Sequence, residues 1–257
     1  MIIDTHAHYD DEAFDSDREI ILDSLQENGI EKVVNVCASI EGLNNTVELT
    51  QKYPFIYGAV GVHPDDAEKM TQETLDEIRR ISHMEKMVAI GEIGLDYYWH
   101  KEEQEHLIQQ KMFRAQMDIA REEKMPFMIH SRDAAQDTMD IVKEYMKGGM
   151  YGGIIHCFSY SKEIAAEYLK MGLYLGIGGV VTFQNARKLK ETVAYAPLSQ
   201  IVLETDSPYL APKPNRGKRN SSLNLPYVVQ AIAELKGITE GEVISVTREN
   251  AGKLLGI

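Results

Sequence analysis

Two cysteines in 257 residues are too few for a disulfide framework. Cys37 and Cys157 both lie in apolar runs, where a free buried thiol is the ordinary outcome. No stretch approaches the ~20 apolar residues that a membrane span requires. The N-terminus runs straight into Met1-Ile2-Ile3-Asp4-Thr5-His6, with no basic segment before a long apolar one, so no secretory signal is expected. A cytoplasmic protein is the corresponding expectation. Positive charge is also scarce: 27 Lys and Arg stand against 40 Asp and Glu, a net charge of −13. Broad electrostatic adhesion to nucleic acid needs a field of Lys and Arg to release counterions, and this chain lacks one. No linker or low-complexity tract divides the sequence, so residues 1–257 are expected to form a single domain with no obligate protein partner.

What the sequence does have is alternation. Apolar, strand-like runs fall at residues 2–6, 32–37, 56–62, 87–92, 127–130, 154–157, 173–177 and 201–204, with helix-like segments between them. The clearest of these segments is 103–124, where Leu107, Ile108, Met112, Ala115 and Ile119 recur at helical spacing. Residues 228–235 and 240–255 supply closing helices. Strands alternating with helices, without a helix-only block, point to a parallel α/β fold. Alternation alone also admits an open doubly wound sheet. Eight run-plus-helix units favour a closed (β/α)8 TIM barrel, for which ~250 residues is routine.

Several runs end in residues that bind metals. Run one ends in His6 and His8, run four in Glu92, run five in His130, run six in His156, and run eight leads into Glu204 and Asp206. A barrel aims the C-terminal ends of its strands at one mouth, so these side chains are expected to converge there. Each alone has a plain alternative. A His-x-His pair can be a surface pair, a lone histidine is more often structural, and an Asp before Ser-Pro can simply start a turn. Together, four histidines and two carboxylates read as a two-metal hydrolytic centre. His6 and His8 sit two apart and so share a strand face. Glu92, between Gly91 and Gly94, has two oxygens with which to bridge two cations. Asp206 falls where a carboxylate accepting the proton of attacking water is needed. Glu204 shares its side, as a substrate contact, supporting group or extra ligand. His63, in Gly61-Val62-His63-Pro64, ends run three and is expected to face substrate.

Less specific features lie nearby. Tyr97, Tyr98 and Trp99 after run four either stack bases or pack. Arg132 either faces a phosphate or pairs with Asp133. Lys213, Arg216, Lys218 and Arg219 form a basic loop after run eight, suited to an anionic substrate or simply solvated.

Ile3-Asp4-Thr5-His6-Ala7-His8, Gly61-Val62-His63-Pro64, Gly91-Glu92-Ile93-Gly94-Leu95-Asp96-Tyr97, His130-Ser131-Arg132, His156-Cys157-Phe158 and Glu204-Thr205-Asp206-Ser207-Pro208 resemble, in order, the motifs of the TatD family of metal-dependent deoxyribonucleases, one of the amidohydrolase-like barrels. The resemblance spans essentially the whole chain. It implies that His6 and His8 bind one metal, His130 and His156 the other, that Glu92 bridges, and that Asp206 ligates the first and handles the proton. The loop from Pro214 to Asn220 is also family-like. It then departs, with Ser221-Ser222 where the family has Glu-Pro.

The activity implied is phosphodiester hydrolysis with two divalent ions (Mg, Mn or Zn-like), acting on DNA or oligonucleotide ends. Acidic composition does not forbid this, because metals supply positive charge and an enzyme gripping one end needs few phosphate contacts. The competing readings are metal-dependent ester or amide hydrolysis, such as aminoacyl-tRNA deacylation, and a non-catalytic metal-binding barrel, since fold does not fix function.

Overall fold

Short Ile- and Val-rich runs bounded by turn residues become strands, and the amphipathic segments between them wind into helices. The computed structural model describes all 257 residues. Its strands are β1 (Ile2–Ala7), β2 (Ile30–Val36), β3 (Ile56–Val60), β4 (Met87–Asp96), β5 (Phe127–Arg132), β6 (Gly153–Ile155), β7 (Tyr174–Ile177) and β8 (Ile201–Leu203). Its helices are α1 (Arg18–Ser24), α2 (Gly42–Lys52), α3 (Gln72–Ser82), α4 (Glu103–Glu122), α5 (Ala135–Lys147), α6 (Lys162–Lys170), α7 (Arg187–Tyr195), α8 (Leu225–Lys236) and α9 (Glu240–Leu255). The strands form one sheet in the order β1 to β8, each followed by helix: the (β/α)8 barrel architecture. No helix is long and apolar enough to cross a membrane. All eight expected runs are strands. β4 and β5 extend past the expected ends, to Asp96 and Arg132, because they stay in register there, Gly94 opposite His130 and Asp96 opposite Arg132.

The chain gathers into two compact units, Met1–Asn35 with Cys157–Ile257, and Val36–His156. In the first, β1 pairs in parallel with β2, and β7 with β8. The chain just after β8 lies along β1: the Thr205 and Asp206 amides donate to the His6 carbonyl, and the His8 amide to Ser207. α9 starts where Thr239 accepts from the Glu242 amide and stops at Gly256 in the left-handed region (φ 70°). Its Asn250 donates to the carbonyls of Leu198 and Ile201, which fixes the start of β8.

In the second unit β3, β4, β5 and β6 pair in parallel in that order. Here the expected face of α4 needs correction. Leu107 is exposed and Ile108, Met112 and Ala115 are only half-buried; the buried residues are Gln109, Phe113, Gln116, Met117, Ile119 and Ala120. The reason is polar. Gln116 accepts from the Val62 amide at 2.7 Å and donates to the Val62 carbonyl at 3.0 Å. Gln109 does the same for Asp96, at 2.9 and 3.3 Å. The backbone beside His63 and at the end of β4 would otherwise leave buried polar groups unmet, and the two glutamines satisfy it from the inward face of α4.

Candidate metal centre

In the first unit, β1 carries His6 as its penultimate residue, with His8 just beyond its end, both buried. Their Nε2 atoms stand 3.2 Å apart. His8 Nε2 lies 3.3 Å from Asp206 Oδ1. Asp206 reaches this position through a left-handed backbone (φ 56°) after the chain has hydrogen-bonded along β1. Ligand atoms ~2.0–2.1 Å from one tetrahedral cation are separated by roughly 3.3–3.4 Å. The spacing of these imidazole nitrogens and the carboxylate oxygen therefore fits a shared divalent ion. The chemistry fits as well, since imidazole with carboxylate is a borderline-hard donor set.

The arrangement rests on Asp4, whose role the sequence did not announce. Asp4 is fully buried and accepts from the Thr205 amide (3.0 Å), the Thr205 hydroxyl (2.7 Å) and the Ser222 hydroxyl (2.6 Å). Burial pushes its carboxyl up to about 7, against the pull of these hydrogen bonds. Asp4 thus clamps Thr205 between Glu204 and Asp206. Ser222 serves this clamp and also meets the Tyr9 hydroxyl at 2.9 Å. Glu204 is buried and its Oε1 accepts from the Cys157 amide at 2.6 Å. Gly176 makes room for it: a Cβ there would fall 2.1 Å from Glu204 Oε2.

In the second unit, Glu92 Oε1 is surrounded by imidazole: His130 Nδ1 at 2.8 Å, His156 Nε2 at 3.7 Å and His63 Nε2 at 3.8 Å. One atom each of His63, Glu92 and His130 falls within 4.8 Å of the others. His63 is held from its other edge, Nδ1 being 3.2 Å from the Asp65 amide and 3.3 Å from the Asp65 carboxylate. That contact, with His100 behind it, keeps the Asp65 carboxyl well below the usual range. The glycines flanking Glu92 let β4 pack closely against β5: a Cβ on Gly94 (φ 148°) would lie 1.9 Å from the His130 carbonyl oxygen.

Asp96, in the Gly91–Tyr97 motif, supports His130. Its Oδ2 lies 3.2 Å from His130 Nε2, and its Oδ1 accepts from the Tyr98 and Trp99 amides, each at 2.9 Å. Burial opposes charge on both groups, yet their pairing wins: His130 is lifted to about 9 and Asp96 is held low. A signal was present. Residues 92, 94 and 96 share one strand face, so a carboxylate at 96 lies on the same face as Glu92.

The accessory residues divide. Tyr97 packs, stacked 3.6 Å from His106 and donating to Asp137, while Tyr98 and Trp99 are exposed. Arg132 does not pair with Asp133; its guanidinium lies 4.1 Å from the Tyr98 ring centre. In the basic loop Arg219 is committed to Asp17, at 2.6 and 2.8 Å, and Arg216 to the Phe183 ring at 4.4 Å. Of that cluster, Lys213, Arg216 and Lys218 carry no carboxylate partner.

Fold and donor set together define a class: a (β/α)8 barrel whose C-terminal strand ends carry histidine and carboxylate donors suited to divalent cations. The profile of the family described as TatD related DNase matches residues 3–256, and the chain belongs to that family. Among its relatives is the uncharacterized metal-dependent hydrolase YabD of Bacillus subtilis (strain 168), 44% identical over 100% of both chains. Another is the 3'-5' ssDNA/RNA exonuclease TatD of Erwinia tasmaniensis, 28% identical over 95% of each. The crystal structure of YjjV, a TatD homologue from Escherichia coli K12, is similar with a TM-score of 0.92 and 27% identity, covering 100% of this chain and 98% of that one.

Proposed function

We propose that this chain is a divalent-metal-dependent phosphodiester hydrolase that trims nucleic acid, DNA above all, from an end, its two units working as one catalytic domain. The observation that carries the reading is Glu92 Oε1, on β4, facing three imidazoles: His63 just after β3, His130 on β5 and His156 just after β6. Such a set is costly to bury without a function, because each ring sacrifices hydration. Family membership supports hydrolysis, and the exonuclease name of the Erwinia relative supports a nucleic-acid substrate.

In this reading His6, His8 and Asp206 would hold one cation and His130 and His156 a second, with Glu92 as a further carboxylate ligand. Bound divalent cations polarise the phosphoryl group and make water nucleophilic near neutral pH. Asp206, part-exposed at 17% of its side chain, takes the proton of the attacking water and passes it to the leaving alkoxide. His63, braced by Asp65, presents Nε2 to a non-bridging phosphate oxygen. Asp96 fixes the ring plane of His130, an arrangement whose loss elsewhere typically costs 10–100-fold in metal affinity or activity. Glu204, with one oxygen engaged by the Cys157 amide, acts in positioning the chain after His156.

The test is elemental analysis of protein purified without chelator, combined with assays on linear single-stranded DNA, bis-p-nitrophenyl phosphate and p-nitrophenyl acetate. The expected result is about two divalent ions per chain and phosphodiester cleavage abolished by chelation. Chelator-sensitive hydrolysis of the carboxylic ester alone would replace this reading with the esterase one.

A further inference from the structure

Beside the histidine cluster stands an aromatic and cationic surface that the chemistry above leaves unused. Trp99 is 64% exposed and Tyr98 41%, their rings edge to face at 4.7 Å. The Arg132 guanidinium lies 4.1 Å from the Tyr98 ring centre and 5.5 Å from that of Trp99. No carboxylate neutralises it, in a chain of net charge −13. Lys101 adds a second cation, 5.1 Å from the Tyr98 ring centre.

This surface is held rigid. Asp96 accepts both the Tyr98 and Trp99 amides with one oxygen, while its other oxygen faces His130. Arg132 follows His130 by two residues on β5, so it shares that strand face at about 6.6 Å along the strand. One carboxylate therefore fixes both a catalytic histidine and the aromatic loop. Exposed indole and phenol beside an unneutralised guanidinium match a nucleotide: a flat apolar base with an adjoining anion.

We propose that Trp99, Tyr98 and Arg132 form a subsite for a nucleotide next to the scissile phosphate, the base stacking on Trp99 and the neighbouring phosphate meeting Arg132. The proposal rests on the nuclease reading for its occupant. Stacking accepts any base, so the subsite confers preference for unpaired strands over duplex without reading sequence.

Trp99 is the single tryptophan of the chain, so its emission reports on this surface directly. The metal-loaded protein is titrated with a hydrolysis-resistant phosphorothioate oligothymidylate and with an abasic oligomer of equal charge. The expected result is saturable change of emission with the oligothymidylate, and binding of the abasic oligomer weaker by roughly 10-fold, the scale of one stacked base. Trp99→Ala raises KM for trimming a linear strand by a similar ~10-fold while kcat stays within about twofold. Arg132→Ala weakens both oligomers. Unchanged emission in protein that trims DNA normally overturns the subsite and leaves the nuclease standing. An equal response to the abasic oligomer also overturns it, because charge alone would then account for binding. A base-dependent response in protein that cleaves no nucleic acid supports the subsite and overturns the nuclease reading.

Discussion

Asp206 differs from the neighbouring carboxylates in exposure, which suits the proton-handling role proposed for it. Glu92 and Glu204 are almost wholly buried, whereas Asp206 reaches solvent and borders His8 at 3.3 Å. Asp206→Asn keeps shape and removes charge and basicity. Turnover is expected to fall ~10² or more, the usual scale of general-base loss. Kinetics on metal-loaded variant with its metal content measured alongside would check this, and wild-type turnover at full occupancy would assign the proton to another group. Asp4 illustrates the opposite case, a buried carboxylate that touches no reacting atom but ties Thr205 and Ser222 to β1 and so aims Asp206.

At the level of elements, the site depends on backbone ends being held where the sheet's hydrogen bonding stops. Gln116 of α4 holds both polar groups of Val62, the residue before His63. Gln116→Leu leaves that buried amide and carbonyl unmet and is expected to destabilise by ~2 kcal/mol or more. The urea midpoint should fall at unchanged slope; an unchanged midpoint would mean that water replaces the glutamine. The loop after β4 is clasped by His100, whose ring lies 2.9 Å from Asp65 and 3.3 Å from Glu105. Part-burial opposes its charge, but these carboxylates prevail and raise its pKa above 6.5. A raised folded-state pKa contributes stability that is present in full below 6.5 and fades as pH climbs through the higher folded value. Wild-type protein should therefore melt above His100→Gln at pH about 6, and the two should converge at alkaline pH. A constant gap across that window would show that His100 acts through packing.

Over the whole molecule, acidity would limit how the nucleic-acid substrate of the proposed function is held. With a net charge of −13 and Arg219 engaged by Asp17, few cations remain to grip phosphates. Few contacts imply a shallow salt dependence, about −0.7 in log–log slope per contact on single strands. A strand held mainly at one end should be trimmed when linear and resist when circular. Digestion of circular and linear single strands at equal rates would remove end-gripping and leave the metal hydrolysis untouched.

The order of strands and the donor types were legible in the sequence because both are local. Short apolar runs alternating with amphipathic segments read as strands from local pattern, and residues 6, 8, 92, 130, 156 and 206 all fall at or just past run ends. α9 was readable to the residue, since Thr239 and Gly256 mark its ends chemically. What only tertiary structure decided was the support. The inward face of α4 places Gln109 and Gln116 among Phe113, Met117 and Ala120 because strand ends 13 and 54 residues away need polar partners, and an apolar count cannot see the glutamines. Asp96 against His130, Asp4 against Ser222 and Arg132 over Tyr98 join residues 34 to 218 positions apart. Their roles are properties of pairs, and a pair exists only once the chain has brought both members together.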